Sequence, residues 1–128
     1  MNTENYPSDL LYTKEHEWVK VDGDNATIGI TYHAQKELGD IVYVELPEID
    51  DEFDKDDSIG TIEAVKTVAE IYAPLSGTII DVNTDLADDS SCMNESPYED
   101  GWIAVIKIND NTLTDELLTK EQYLKLIA

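Results

Sequence analysis

Residues 61–74, TIEAVKTVAEIYAP, decide the architecture. Ile62, Val65, Val68, Ile71 and Tyr72 are residue types that favour pleated, half-buried backbone. Taken as one strand, residues 58–73 would run roughly 50 Å at about 3.3 Å per residue. A chain of 128 residues folds to a radius of gyration near ~14 Å and a diameter of about 35 Å. The stretch must therefore reverse. No Asn-Gly or Asp-Gly marks the reversal, and the least strand-like residues are Glu63, Ala64 and Lys66. The turn is expected at Ala64–Thr67, with Lys66 at its tip. From the residues alone, a solvated lysine on a turn is the plain reading. Against it stands the turn's composition, Ala-Val-Lys-Thr, which lacks the Gly, Asn or Asp of an ordinary tight turn.

Working outward, EHEWVKV, NATIGI and DIVYVEL are β-rich and punctuated by Gly23, Gly39 and Pro47. TYHAQKELG has a helix signature, with Thr31 as N-cap and Gly39 suited to the position just past the end. The tail from 115 to 127 is expected to be helical, with Thr119 and Gln122 as a capping box and Tyr123, Leu124, Leu126 and Ile127 as its apolar face. Residues 1–10 are expected to be a loosely ordered lead-in. The centre carries an internal echo: Gly39 and Gly77 each open a strand, a polar loop and a returning strand that begins near Gly60 or Gly101. Chance similarity between two ordinary hairpins explains the echo equally well; a real echo implies a sandwich of two related halves joined by residues 61–74. The expectation is one mainly β domain over residues 1–128.

Composition narrows the function. Eight Lys and Arg stand against 29 Asp and Glu, a formal charge of −21. Phosphate backbones and anionic headgroups would repel such a surface, so nucleic acid and membrane are not expected partners; docking on basic protein faces and acidity that only keeps the protein soluble are readings of equal weight. The single cysteine, Cys92, lies in a loop-like stretch with no Lys or Arg beside it and is expected to be an incidental thiol. No apolar run reaches membrane-span length, and residues 1–15 lack the features of a signal or transit peptide, so a bacterial cytoplasm is expected. His16 and His33 have no ligand arrangement that specifies a metal, and none is expected. No nucleophile–base pair or phosphate loop is visible, so a non-catalytic protein is expected.

EAVKTVAEIYAPLSG closely resembles the signature of the glycine cleavage H-protein family, Glu-Ser-Val-Lys followed by Tyr-Ala-Pro-x-Ser-Gly. YTKEHEWV (12–19), GITYHAQKELGDIVYVELPE (29–48) and NESPYEDGW (94–102) match that family's other blocks in order and spacing. The resemblance implies a lipoyl/biotinyl-type β-sandwich (barrel-sandwich hybrid) with a short internal helix and a C-terminal helix. It implies lipoic acid in amide linkage on Lys66. It also implies a monomeric shuttle that takes an aminomethyl group from glycine decarboxylase, a pyridoxal phosphate enzyme, to the tetrahydrofolate-dependent aminomethyltransferase. Dihydrolipoamide dehydrogenase and a lipoyl-attaching enzyme are the other implied partners. By the same resemblance, Glu17, Glu70 and His33 match positions near a cleft that shelters the loaded arm. Glu63 has two readings, a carboxylate by which modifying enzymes recognise the turn or a simply solvated side chain. His33 is equally well read as a helix-start histidine with a structural hydrogen bond.

Three residues depart from the family pattern: Ala64 for Ser, Ala69 for Ser, and Tyr32 for an acid, the last expected to alter the cleft rim or a partner contact. A biotin carrier would show Met-Lys-Met, and a 2-oxo acid dehydrogenase lipoyl domain Asp-Lys-Ala. The runner-up function is a lipoyl relay or regulatory carrier that donates lipoate to other proteins through the same lysine.

Overall fold

The structure, a computed structural model, describes residues 6–109 and 117–127. Among them are nine strands and four helices. In chain order these are β1 (Leu11–Tyr12), β2 (Glu17–Asp22), β3 (Asn25–Ile30), α1 (Tyr32–Leu38), β4 (Ile41–Glu45), β5 (Glu52–Phe53), β6 (Ser58–Ala64), β7 (Val68–Tyr72), β8 (Gly77–Val82), α2 (Asp85–Asp88), α3 (Cys92–Glu95), β9 (Ala104–Ile108) and α4 (Lys120–Ile127). The strands form two antiparallel sheets, one of six in the order β1-β2-β3-β9-β8-β5 and one of three in the order β4-β6-β7. The two halves of the echo part company here. The β4/β6 pair lies in the small sheet and the β8/β9 pair in the large one.

The main core lies between the sheets. Ile28, Ile79 and Ile106 from the large sheet meet Ile62, Ile71 and Val44 from the small one, all buried. β6 and β7 pair with Glu63 opposite Val68 and Ile62 opposite Ala69. The long β-rich stretch therefore folds back on itself at residues 65–67, within the segment that its length required to turn.

α1 starts and stops where its caps predict. The Thr31 hydroxyl accepts from the Ala34 N–H at 3.2 Å, and Gly39 closes the helix at φ 74°, a conformation few side chains tolerate.

A second, aromatic cluster covers the outer face of the large sheet: Tyr6, Leu10, Tyr12, Trp18 and Tyr123. Trp18 lies opposite Gly29 in the register. A Cβ at Gly29 would come within 2.5 Å of the indole, so glycine is the residue that leaves the ring its seat. The indole N–H donates to Pro97 O at 2.8 Å. Tyr123 stacks on Tyr12 at 4.8 Å. Its hydroxyl lies 2.9 Å from His16 Nδ1 and 2.8 Å from Thr31 Oγ1.

This cluster corrects several expectations. Residues 6–10 are not a loose lead-in: Tyr6 and Leu10 are buried, and Tyr12 donates its hydroxyl proton to Pro7 O. The C-terminal helix starts at Lys120 rather than 115, because Leu118 is drawn into backbone pairing with Tyr12; residues 115–116 lie outside the described residues. The reciprocal Thr119–Gln122 bonds form as a capping box should. Leu126 faces out, 48% exposed. The polar stretch after β8 is not all loop, since α2 and α3 form there to bury Leu86 and Met93. Tyr32, expected to alter the cleft rim or a partner contact, packs edge-on against Tyr6.

Removing the Tyr123 hydroxyl should loosen this outer layer. Tyr123→Phe keeps the ring but strips a partner from both His16 and the buried Thr31, and should cost about 1–2 kcal/mol. Urea unfolding midpoints of the two proteins measure it.

Candidate functional site

The β6–β7 turn is tied down by two backbone bonds. Ala64 N–H donates to Thr67 O at 2.8 Å, and Val65 N–H donates to Asp40 O at 3.0 Å. The first closes the turn and the second anchors it to the chain entering β4. Residues 65–68 stand in solvent, with Val65 71% and Val68 59% exposed. Among the described residues Lys66 has no carboxylate within ion-pair distance. Its amine is therefore accessible to a reagent and carries no partner that acylation would strand. Glu63 is exposed on the outer face of the small sheet, between Tyr43 and Val68 in the register.

Beside this sheet is a cleft of about 150 Å³. Ile30, Ala34, Leu38, Ile62, Ala69 and Ile71 give it an apolar floor, and Glu15, Glu17, Glu37 and Glu70 line it with carboxyl groups but no cation. Such a lining suits a hydrocarbon chain that ends in a positive charge. Glu70 is four residues from Lys66, at most about 14 Å of extended chain. Its carboxylate accepts from the Tyr72 hydroxyl at 2.9 Å, and that bond raises the Tyr72 pKa.

Glu17 is the chemically unusual member. It is only 3% exposed. One carboxyl oxygen accepts from the Tyr72 backbone N–H at 2.7 Å and the other from the Thr13 hydroxyl at 3.3 Å. Burial nonetheless dominates and pushes the carboxyl up to about 8, against the pull of both hydrogen bonds. Glu17 also lines a second cavity of about 670 Å³, together with Lys14, Lys55, Asp56 and Pro74. It thus borders two hollows.

The structure brings Glu17 and Glu70 into one cleft. His33 stands behind that cleft and does not line it. Its ring lies 4.7 Å from the His16 ring, and its Nε2 is 3.9 Å from Glu37 Oε1. Glu63 is on a different face. His16, Glu15 and Glu37, which do line the cleft, were not singled out from the sequence as cleft residues. His16 has φ 68°, a twist that local sequence does not announce. Burial and then the neighbouring His33 lower its pKa, which favours the neutral imidazole. Among the described residues no group of three His, Cys, Asp or Glu side chains could hold a metal ion.

Comparison with known proteins places this geometry. Residues 10–128 match the family described as glycine cleavage H-protein. The chain is 53% identical over 122 residues to the glycine cleavage system H protein of Staphylococcus carnosus, covering 95% of this chain and 97% of that one. It is 54% identical over the same length to that of Staphylococcus epidermidis. A crystal structure of a glycine cleavage system H protein from Mycobacterium marinum superposes with a TM-score of 0.86 at 37% identity, covering 93% of this chain and 96% of that one.

The Glu17 carboxyl makes a pH prediction. Its folded pKa, about 8, lies above its ordinary value of 4.5, so the folded protein binds the extra proton between those two pH values. Stability should fall as pH rises through that window, by up to about 1.4 kcal/mol per unit. Glu17→Gln keeps an oxygen acceptor for Tyr72 and cannot ionise. The variant should gain on the wild type from pH 5 to pH 8 in urea midpoint. A constant difference across that range would place the carboxyl in contact with water.

Proposed function

The chain belongs to the glycine cleavage H-protein family, and from that premise we propose that Lys66 is where it carries lipoate. It is a lipoyl-bearing shuttle of the glycine cleavage system, built on the lipoyl-type β-sandwich, and it works with the other components of that system. The observation that carries the assignment of Lys66 is its position: an exposed, unpaired amine on a fixed hairpin tip, a short chain distance from an apolar, acid-lined cleft. Lipoate in amide linkage to Nζ would supply a strained, reducible cyclic disulfide; the electron pair left when glycine loses carbon dioxide would open its S–S bond, leaving one sulfur bearing the aminomethyl unit and the other as a thiol.

The chain's own residues hold and shelter. Ala64 and Thr67 are small and leave space around Lys66 for a modifying enzyme, and Glu63 offers that enzyme a carboxylate beside the turn. Ile30, Ala34 and Leu38 give a hydrocarbon arm an apolar surface. Glu17 and Glu70 accept the hydrogens of an ammonium group, and an arriving cation draws the proton off Glu17. His33 acts on the cleft only through His16 and Glu37. On this reading the chain is one non-catalytic carrier domain of the bacterial cytoplasm. Its partners are glycine decarboxylase, the aminomethyltransferase, dihydrolipoamide dehydrogenase and a lipoyl-attaching enzyme, met through basic faces that its −21 charge attracts.

Incubation with a lipoate–protein ligase, lipoate and ATP should add one lipoyl mass, on the peptide containing Lys66. Lys66→Arg should take up none and should support no glycine-dependent turnover with glycine decarboxylase. Lipoyl mass on Lys36 or Lys55 in peptide maps would refute the assignment.

A further inference from the structure

The block NESPYEDGW stands more than a sequence turn away from the hairpin, yet its first residue reaches the hairpin's anchor. Asn94 Oδ1 accepts from the Ile41 N–H at 3.0 Å, and its amide nitrogen donates to Gly39 O at 2.8 Å and to Gln35 Oε1 at 3.2 Å. Ser90 Oγ donates to Ile41 O at 3.1 Å. These bonds grip the backbone on both sides of Asp40. Asp40 O is the group that holds the Val65 N–H, and Val65 adjoins Lys66. The neighbouring residue Ile41 pairs in register with Ala64, the last residue of β6. Of the two bonds that fix the turn, one lies within it; the Val65–Asp40 bond is the one that ties it to the chain outside the hairpin.

We propose that Asn94 is a positioning residue for Lys66: it clamps Gly39–Ile41 so that Asp40 holds the hairpin tip in one orientation, the one a lipoyl-attaching enzyme must engage. The proposal rests on the reading of Lys66 as the lipoyl site. The physical reason is a population effect. A tip that is competent only part of the time binds its enzyme more weakly in proportion to that fraction, while the chemistry after capture is unchanged. The side-chain amide is required because the clamp uses an acceptor and donors at once. A carboxylate would set a negative charge against two carbonyl oxygens, and alanine would leave the Ile41 N–H and Gly39 O unpaired.

The test uses the full chain with Asn94→Ala, and with Ser90→Ala as a gentler variant should the first fail to fold. Amide exchange at Val65 should accelerate by about tenfold, as expected when a hydrogen bond loses its support, while amides of the central strand β3 keep the wild-type rate. With a lipoate–protein ligase, KM for the carrier should rise several-fold and kcat should stay constant. Ser90→Ala should move both in the same direction by less. Unchanged Val65 exchange, an unchanged KM, or acceleration at Val65 and β3 together would each overturn the clamp. If the wild type takes up no lipoate on Lys66, the reading of that lysine fails, and the exchange data still decide whether Asn94 holds the tip.

Discussion

A carboxyl group buried where two sheets meet organises this protein. β7 is an edge strand of the small sheet, and its Tyr72 N–H has no strand partner on that side. An unpaired backbone donor at a buried joint costs about 1–3 kcal/mol. Glu17, the first residue of β2 in the other sheet, supplies the acceptor. The solution is itself strained, because a carboxylate loses its hydration there. The side chain settles this by keeping its proton to about pH 8. The residue that joins the sheets thus also lines the cleft with a carboxyl whose pKa burial has raised.

Around that joint the molecule divides the work between a rigid part and a mobile one. The main core, the aromatic layer under α4 and the Asn94 contacts fix the cleft and the hairpin relative to each other. A carrier needs such rigidity at the attachment point, since the length of its arm does the travelling. The hairpin tip is exposed, with Val65 and Val68 in solvent. The −21 charge gives the surface a long-range field that favours basic faces over acidic ones.

Much of this was legible in the sequence. The need for a reversal followed from length and its place at 64–67 from the least strand-like residues, and the Thr31 and Thr119 caps followed from local hydrogen-bond chemistry. What escaped was set by packing between distant segments. Nothing near Tyr6 or Leu10 marks them as buried; their partners are Tyr12, Tyr32 and Tyr123. α2 and α3 are single turns whose sequences are polar, and they form because Leu86 and Met93 have a core to enter. Glu17 reads as a strand residue, and its burial depends on Tyr72, 55 residues away. His16 owes its place at the cleft to an unusual backbone angle and to a tyrosine in the last helix. Tyr32, an aromatic residue at a family acid position, packs against the aromatic layer.

The most direct test of this account is a carbon-13 titration of the Glu17 side-chain carboxyl, assigned by its loss in Glu17→Gln. In the unmodified protein its midpoint should lie near pH 8. After lipoylation and loading with glycine and its decarboxylase, the midpoint should move to lower pH, as the ammonium group in the cleft stabilises the carboxylate. A midpoint in the ordinary range near pH ~4.3, or one that loading leaves in place, would contradict it.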